Sequence, residues 1–221
     1  MNFAELKKEV LKANLLLPEW GLIVSTQGNV SGFDRKKGLV VIKPSGLPYS
    51  ELNLSDLVIL NLAGEKKAGN KKPSVDWPHH VYLYQNMPGI GGVVHTHSPF
   101  TTAFAAAGLP ITCLTTGQAD VFGGEIPVTS YVDNKEDHIG KEIIKTYRPG
   151  CPAIVLGQHG LFAFAGTPEK AVLAAKLTEY FARINLFALL LGKAAGKKVT
   201  PLIEKEIRKW YGRYHGGGYG Q

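Results

Sequence analysis

The sequence predicts an α/β chain whose strands form a mixed or antiparallel sheet flanked by helices, and three observations predict it. Short β-branched or apolar runs bounded by Gly, Pro or Asn recur along the chain. Segments with apolar residues at helical spacing stand among them. The strands are joined by short turns instead of regular helical crossovers, which disfavours a doubly wound parallel sheet.

Residues 3 to 15 place Phe3, Leu6, Val10, Leu11 and Leu15 at helical spacing, and this amphipathic helix is expected to end before Pro18. Val40-Val41-Ile42 and Val58-Ile59-Leu60 read as strands. Residues 74 to 87 carry a helix-start signal: Ser74 as a cap, Asp76 in the first turn, and Pro78 close enough to the start to be tolerated. Gly92-Val93-Val94 is a further strand, followed by a helix over residues 99 to 107 and another over 133 to 147. Residues 153 to 156 and 161 to 164 read as strands around Gly157-Gln158-His159-Gly160, and 168 to 191 as a helix. With no internal repeat and no useful Pro/Gly/Ser linker, one domain over residues 1 to 221 is expected.

The 221 residues are 44% apolar, 10% aromatic and 19% charged, a composition that buries a core and excludes a disordered tail protein. Cys113 and Cys151 cannot build a disulfide framework, and the first ten residues are unlike a signal peptide, so the cytoplasm is the expected compartment. Lys176, Glu179, Arg183 and Asn185 interrupt the longest apolar-looking window, so no membrane span is expected. The formal net charge of +7 is compatible with nucleic acid or with small anionic substrates. Lys66, Lys67, Lys71 and Lys72 read as a solvated turn, and Lys197, Lys198, Lys205, Arg208, Lys209 and Arg213 as a solvated helix face. Neither cluster carries a nucleic-acid-binding motif, so no nucleic-acid partner is expected.

The strongest chemical signal is Val93-Val94-His95-Thr96-His97-Ser98. On a strand, residues i and i+2 share a face with Cα atoms about 6–7 Å apart, a spacing that suits a divalent metal and equally a hydrogen-bonded surface pair. A catalytic zinc takes three protein ligands and keeps a position open. His159, in a Gly-flanked turn where histidine has little packing reason to be, is the candidate third ligand. Three small-polar turns could hold a phosphate: Thr26-Gln27-Gly28-Asn29-Val30-Ser31, Lys43-Pro44-Ser45-Gly46 and Lys72-Pro73-Ser74. Lys43 offers charge, and Ser74 at a helix start is expected to add free N–H groups and the positive end of the dipole. Each turn alone is as well explained as a plain turn, and none has a nucleotide-binding spacing.

Ala13-Asn14-Leu15, Gly28-Asn29-Val30-Ser31, Val41 to Gly46, Lys71 to Ser74, Gly91 to Ser98, Gln158-His159-Gly160 and Tyr219-Gly220-Gln221 together resemble the class II aldolase/adducin family, most closely its epimerase branch. The resemblance implies a mixed, mostly antiparallel sheet covered by helices and a homotetramer with active sites between subunits. It implies a zinc ion per subunit, or another divalent metal, held by His95, His97 and His159, with Asp76 as the acidic residue at the metal. Gly28, Asn29, Lys43, Ser45, Gly46, Ser74 and Val75 fall at the substrate-phosphate positions. Asp120 and Tyr219 match the acid/base pair, roles that only the resemblance assigns, since alone they read as a loop or cap carboxylate and a frayed glycine-rich tail. The implied substrate is a phosphorylated ketose, L-ribulose 5-phosphate, epimerised at C4 to D-xylulose 5-phosphate by cleavage and re-formation of the C3–C4 bond. The alternatives are a sugar-phosphate aldolase of the same family and, more remotely, a non-catalytic adducin-like interaction module. Departures are Val75 in place of a second serine, Gly117-Gln118 in place of Thr-His, and Trp210 where some epimerases have histidine.

Overall fold

A computed structural model describes residues 3–217. The strands are β1 (Asn29–Asp34), β2 (Leu39–Ile42), β3 (Val58–Asn61), β4 (Lys66–Ala68), β5 (Gly92–Thr96), β6 (Ala153–Leu156) and β7 (Gly160–Ala165). They form one sheet in the order β4-β3-β2-β1-β5-β7-β6, every neighbouring pair antiparallel. One isolated bridge, Val128 to Val155, is parallel. The helices are α1 (Phe3–Glu19), α2 (Trp77–Asn86), α3 (Pro99–Ala107), α4 (Thr116–Phe122), α5 (His138–Thr146), α6 (Pro168–Ala194) and α7 (Glu204–His215).

Side-chain alternation gives the sheet two apolar faces. Val30, Val41, Val94, Leu161 and Ala163 pack under α1, α3 and α6, whereas Phe33, Val40, Val93, Phe162 and Phe164 pack under α2 and α5. The short α4 lies outside these layers against α7, around Ala119, Cys113 and Ile207. The expected sheet flanked by helices is present, but its seven strands pair wholly antiparallel and are not mixed. Among the described residues no helix is long and apolar enough to cross a membrane.

Several boundaries depart from expectation. The 26–31 segment, read as a turn, contains the first half of β1, a central strand. It extends past β2, and the Asn14 carboxamide completes it there, accepting from Val30 N at 2.9 Å and donating to Val30 O at 3.0 Å. Gly32 allows the close approach of α1 and α6, since a Cβ there would meet Leu6, Val10 and Pro168 atoms at 2.7 to 2.9 Å. α1 continues through Pro18, whose neighbour Leu17 is fully buried in the core, because a proline in the last turn removes only one helical bond. α2 begins at Trp77 and not at Ser74, and α5 begins at His138 because Asp133 folds the preceding residues into a turn, accepting from Lys135 N and from the His138 ring. α4 has no counterpart among the elements the sequence predicts; Thr115 caps it and Gly123 ends it at φ 60°. Lys66 and Lys67 lie on the exposed edge strand β4, not in a turn, and their charge protects that edge from further pairing.

Candidate active site

His95 stands near the end of β5, fully within the strand, and His97 follows the strand's last residue. The β6–β7 hairpin carries His159 in its turn, with Gln158 in the left-handed region at φ 57°. Gly160 lets that hairpin lie directly on the end of β5, since a Cβ there would meet Thr96 O at 2.5 Å and His97 Cδ2 at 2.7 Å. The rings of His95, His97 and His159 therefore converge, with centroids 4.7 to 5.0 Å apart and one nitrogen of each within 4.8 Å of the others.

The hydrogen bonds behind these rings fix their chemistry. His95 Nδ1 donates to the Leu161 carbonyl at 2.9 Å, and His97 Nδ1 meets Gln27 Oε1 at 3.3 Å. Both acceptors take a proton from Nδ1, which leaves each Nε2 as a lone pair. The two Nε2 atoms face each other across 2.9 Å, a repulsive arrangement unless a cation lies between them. Burial lowers the pKa of all three histidines, that of His97 to about 4, so the neutral form that binds metals prevails. Three neutral imidazoles, two of them with Nε2 oriented inward by their Nδ1 bonds, fit a divalent metal with an open position.

The same cavity, about 310 Å³, is lined by the small-polar turns. Gly28, with φ 76° and room for no Cβ because His95 O would lie 2.8 Å from it, leads into β1, where Asn29 pairs in register with His95. Tyr49 Oη donates to Gly28 O at 2.8 Å and braces this turn. Lys43, Ser45 and Gly46 follow β2, and Ser74, Val75 and Asp76 precede α2. These two segments are zipped together by Ser45 N to Lys72 O at 3.0 Å and Ser74 N to Lys43 O at 2.9 Å. Ser74 spends its own N–H on Lys43 O, and α2 starts at Trp77, which corrects the expected helix start at Ser74; Ser74 still lines the cavity. Lys43 is buried, donates to Pro44 O at 3.3 Å and lies 4.6 Å over the Tyr49 ring, and burial lowers its pKa.

Asp76 lines the cavity, but the three-nitrogen cluster does not include it. Its Oδ2 accepts from Asn29 Nδ2 at 2.7 Å, and Asn29 also donates to Ser74 Oγ at 3.0 Å. Burial works against the Asp76 carboxylate, yet His95, His80, the Asn29 amide and His79 outweigh it and hold its pKa low. Asp120 is on α4 and does not line this cavity. Its Oδ1 is buried with no hydrogen-bond partner, and burial raises its pKa against the opposing charges of Arg213 and His215. Tyr219 lies outside the described residues.

The structure adds Asn134 to the cavity wall and a fully buried pair, His79 and His80, on the adjoining helix. His80 Nδ1 bonds Ser31 Oγ at 2.7 Å, and Ser31 bonds Tyr84 Oη at 2.8 Å. Two adjacent histidines in a half-apolar helix were a signal for these; Asn134, in an irregular loop, carried none.

The model of the Class II Aldolase and Adducin N-terminal domain matches residues 8–186. The L-ribulose-5-phosphate 4-epimerase UlaF of Salmonella paratyphi B (strain ATCC BAA-1250 / SPB7) is 40% identical, the alignment covering 98% of this chain and 99% of that protein. Among solved structures, an L-fuculose 1-phosphate aldolase superposes with TM-score 0.86 at 28% identity, covering 97% of this chain and 98% of that one. The L-fuculose-1-phosphate aldolase from Thermus thermophilus superposes with TM-score 0.71 at 26% identity, covering 90% and 100%. With a family match over most of its length, a near full-length relative at this identity, and a histidine cluster set among small-polar turns, the chain belongs to the class II aldolase and adducin family.

Proposed function

We propose that this chain, as one catalytic domain, epimerises L-ribulose 5-phosphate to D-xylulose 5-phosphate at C4, by breaking the C3–C4 bond and re-forming it on the other face of the aldehyde. The observation that carries the reading is the single cavity in which three histidines meet the turns around Gly28, Ser45 and Ser74. The full-length similarity to an L-ribulose-5-phosphate 4-epimerase supports this substrate over that of the aldolases, which are less similar.

His95, His97 and His159 would hold a divalent metal, zinc or another that imidazole donors suit, with Asp76 beside them. When bound, that metal supplies Lewis-acid polarisation of the substrate's carbonyl and hydroxyl oxygens. Gly28, Asn29, Ser45, Gly46 and Ser74 and the backbone of Val75 take the phosphate, and Lys43 supplies positive charge beneath them. Inversion needs a proton removed on one face and delivered on the other, and Asp120 and Tyr219 serve as this pair. Burial disfavours the charged form of Asp120 and raises its pKa above the ordinary aspartate value, the direction a proton-transferring carboxyl needs. Because Asp120 does not line this chain's own cavity, a neighbouring subunit supplies it in a homotetramer, here placed in the cytoplasm.

The test is a coupled assay on L-ribulose 5-phosphate before and after chelation and metal replacement. Metal-dependent appearance of D-xylulose 5-phosphate is expected. Net release of dihydroxyacetone or its phosphate from a ketose phosphate would assign the chain to the aldolases, and absence of both metal and turnover to an interaction module.

A further inference from the structure

We propose that the buried amide pair Gln118–Asn185 is a positioning device for Asp120, an inference that rests on the acid/base role proposed for that aspartate. α4 has seven residues, too few to hold a helix by its own bonds. Asp120 Oδ1 has no hydrogen-bond partner, so that oxygen takes its position from the helix that carries it.

Gln118 is fully buried and donates from Nε2 to Ile111 O at 3.0 Å and Gly124 O at 3.5 Å. Its Oε1 accepts from Asn185 Nδ2 at 3.2 Å, and Asn185, on α6, also donates to Phe181 O at 3.0 Å. One side chain thus ties together the segment before α4, the turn after it and the long helix packed on the sheet. Residues two apart on a helix are turned by about 200°, so they face opposite sides. Fixing Gln118 against α6 sets the rotation that turns Asp120 toward α7, where the His215 ring lies 3.1 Å from the Asp120 carbonyl oxygen. Arg148 pins only the far end, donating to Phe122 O at 2.6 Å and Gly123 O at 3.1 Å, and sets where the helix stops. The cavity that takes phosphate and metal is not touched by this pair.

The experiment uses the full-length, metal-loaded protein and L-ribulose 5-phosphate, comparing Gln118→Leu, Asn185→Leu, the double variant and isosteric Gln118→Glu with Asp120→Asn. Replacing both partners by apolar groups restores much of the stability lost by replacing one, so the double variant separates folding from placement. We expect kcat to fall about tenfold or more in Gln118→Leu, Gln118→Glu and the double variant, with KM changed less than about twofold and bound metal per chain unchanged. Asn185→Leu, which leaves Gln118 its own two carbonyl partners, should show a smaller kcat loss in the same pattern. If Asp120→Asn is inactive while the folded double variant keeps wild-type kcat, the positioning role is overturned and the Asp120 reading stands. If Asp120→Asn turns over normally, both fall together.

Discussion

His79 and His80 are fully buried beside the cavity, and His79 has no hydrogen-bond partner on either ring nitrogen. Burial pushes the pKa of His79 down to about 4 and that of His80 to about 3, with Asp76 opposing in both. A histidine whose native pKa lies below its unfolded value binds fewer protons when folded. Its contribution is complete above the unfolded value of about 6.5 and is lost as pH falls toward the native one. Folding stability should therefore decline between pH 6.5 and 4, by on the order of 3 kcal/mol for each residue. The lowered carboxyl of Asp76 acts in the same direction only below the ordinary aspartate range, so it does not contribute to this window. Urea unfolding between pH 7 and pH 4.5 measures the decline, and His79→Leu should flatten it by about one proton; a pH-independent midpoint would refute the account. At the metal cluster the expectation is different. His159 is half-buried in a hairpin turn, so His159→Ala should leave the fold intact and reduce bound metal, read by elemental analysis of the purified protein, with turnover falling about a hundredfold or more.

At the scale of elements, Asn14 is the clearest case of a helix side chain acting as part of a strand. Replacing it with alanine leaves the buried N–H and C=O of Val30 without partners on that side, and should cost about 2–4 kcal/mol in urea unfolding; a cost below about 1 kcal/mol would mean that water or a shift of β1 replaces it. The same bonds explain why β1 was missed. β2, β3, β5, β6 and β7 were legible because their own apolar runs describe their burial, whereas Asn29, Ser31 and Gly32 are buried through residues distant in sequence: Asp76, His80, Tyr84 and the two helices over Gly32. Boundaries slipped for a similar reason, since Ser74 is committed to Lys43 O and α2 starts later. In the site, His95 and His97 were legible from the period of a strand and His159 from its glycine-flanked turn. The small-polar turns are legible in the sequence only as separate weak signals, because the bridge from Pro44 to Pro73 that joins two of them is a tertiary contact. Asp120 and Tyr219, the proposed acid/base pair, have no signature beyond family resemblance, because such a role depends on what surrounds the residue in space.

For the whole molecule, the proposed chemistry requires an Asp120 at a cavity that this chain's own Asp120 does not line, and sharing of sites between subunits supplies one. The cavity gathers the histidines and phosphate turns, while Asp120 stands elsewhere on α4. The outer face of α6 leaves Tyr180, Phe187, Leu190 and Leu191 about half exposed or more, at 55%, 49%, 54% and 69%, an apolar surface of the kind that association covers. If each site takes its metal cluster from one subunit and Asp120 from the next, two inactive variants should complement. In His159→Ala every subunit still supplies Asp120, and in Asp120→Asn every subunit still supplies the metal cluster. Random mixing of equal amounts then places an intact cluster beside an intact Asp120 in about a quarter of the sites. Co-expression of the two variants with different tags, followed by purification through both, should recover activity of that order when each variant alone has almost none. Failure of the doubly purified oligomer to turn over would mean that each subunit completes its own site, and Asp120 would have to reach the cavity by moving α4.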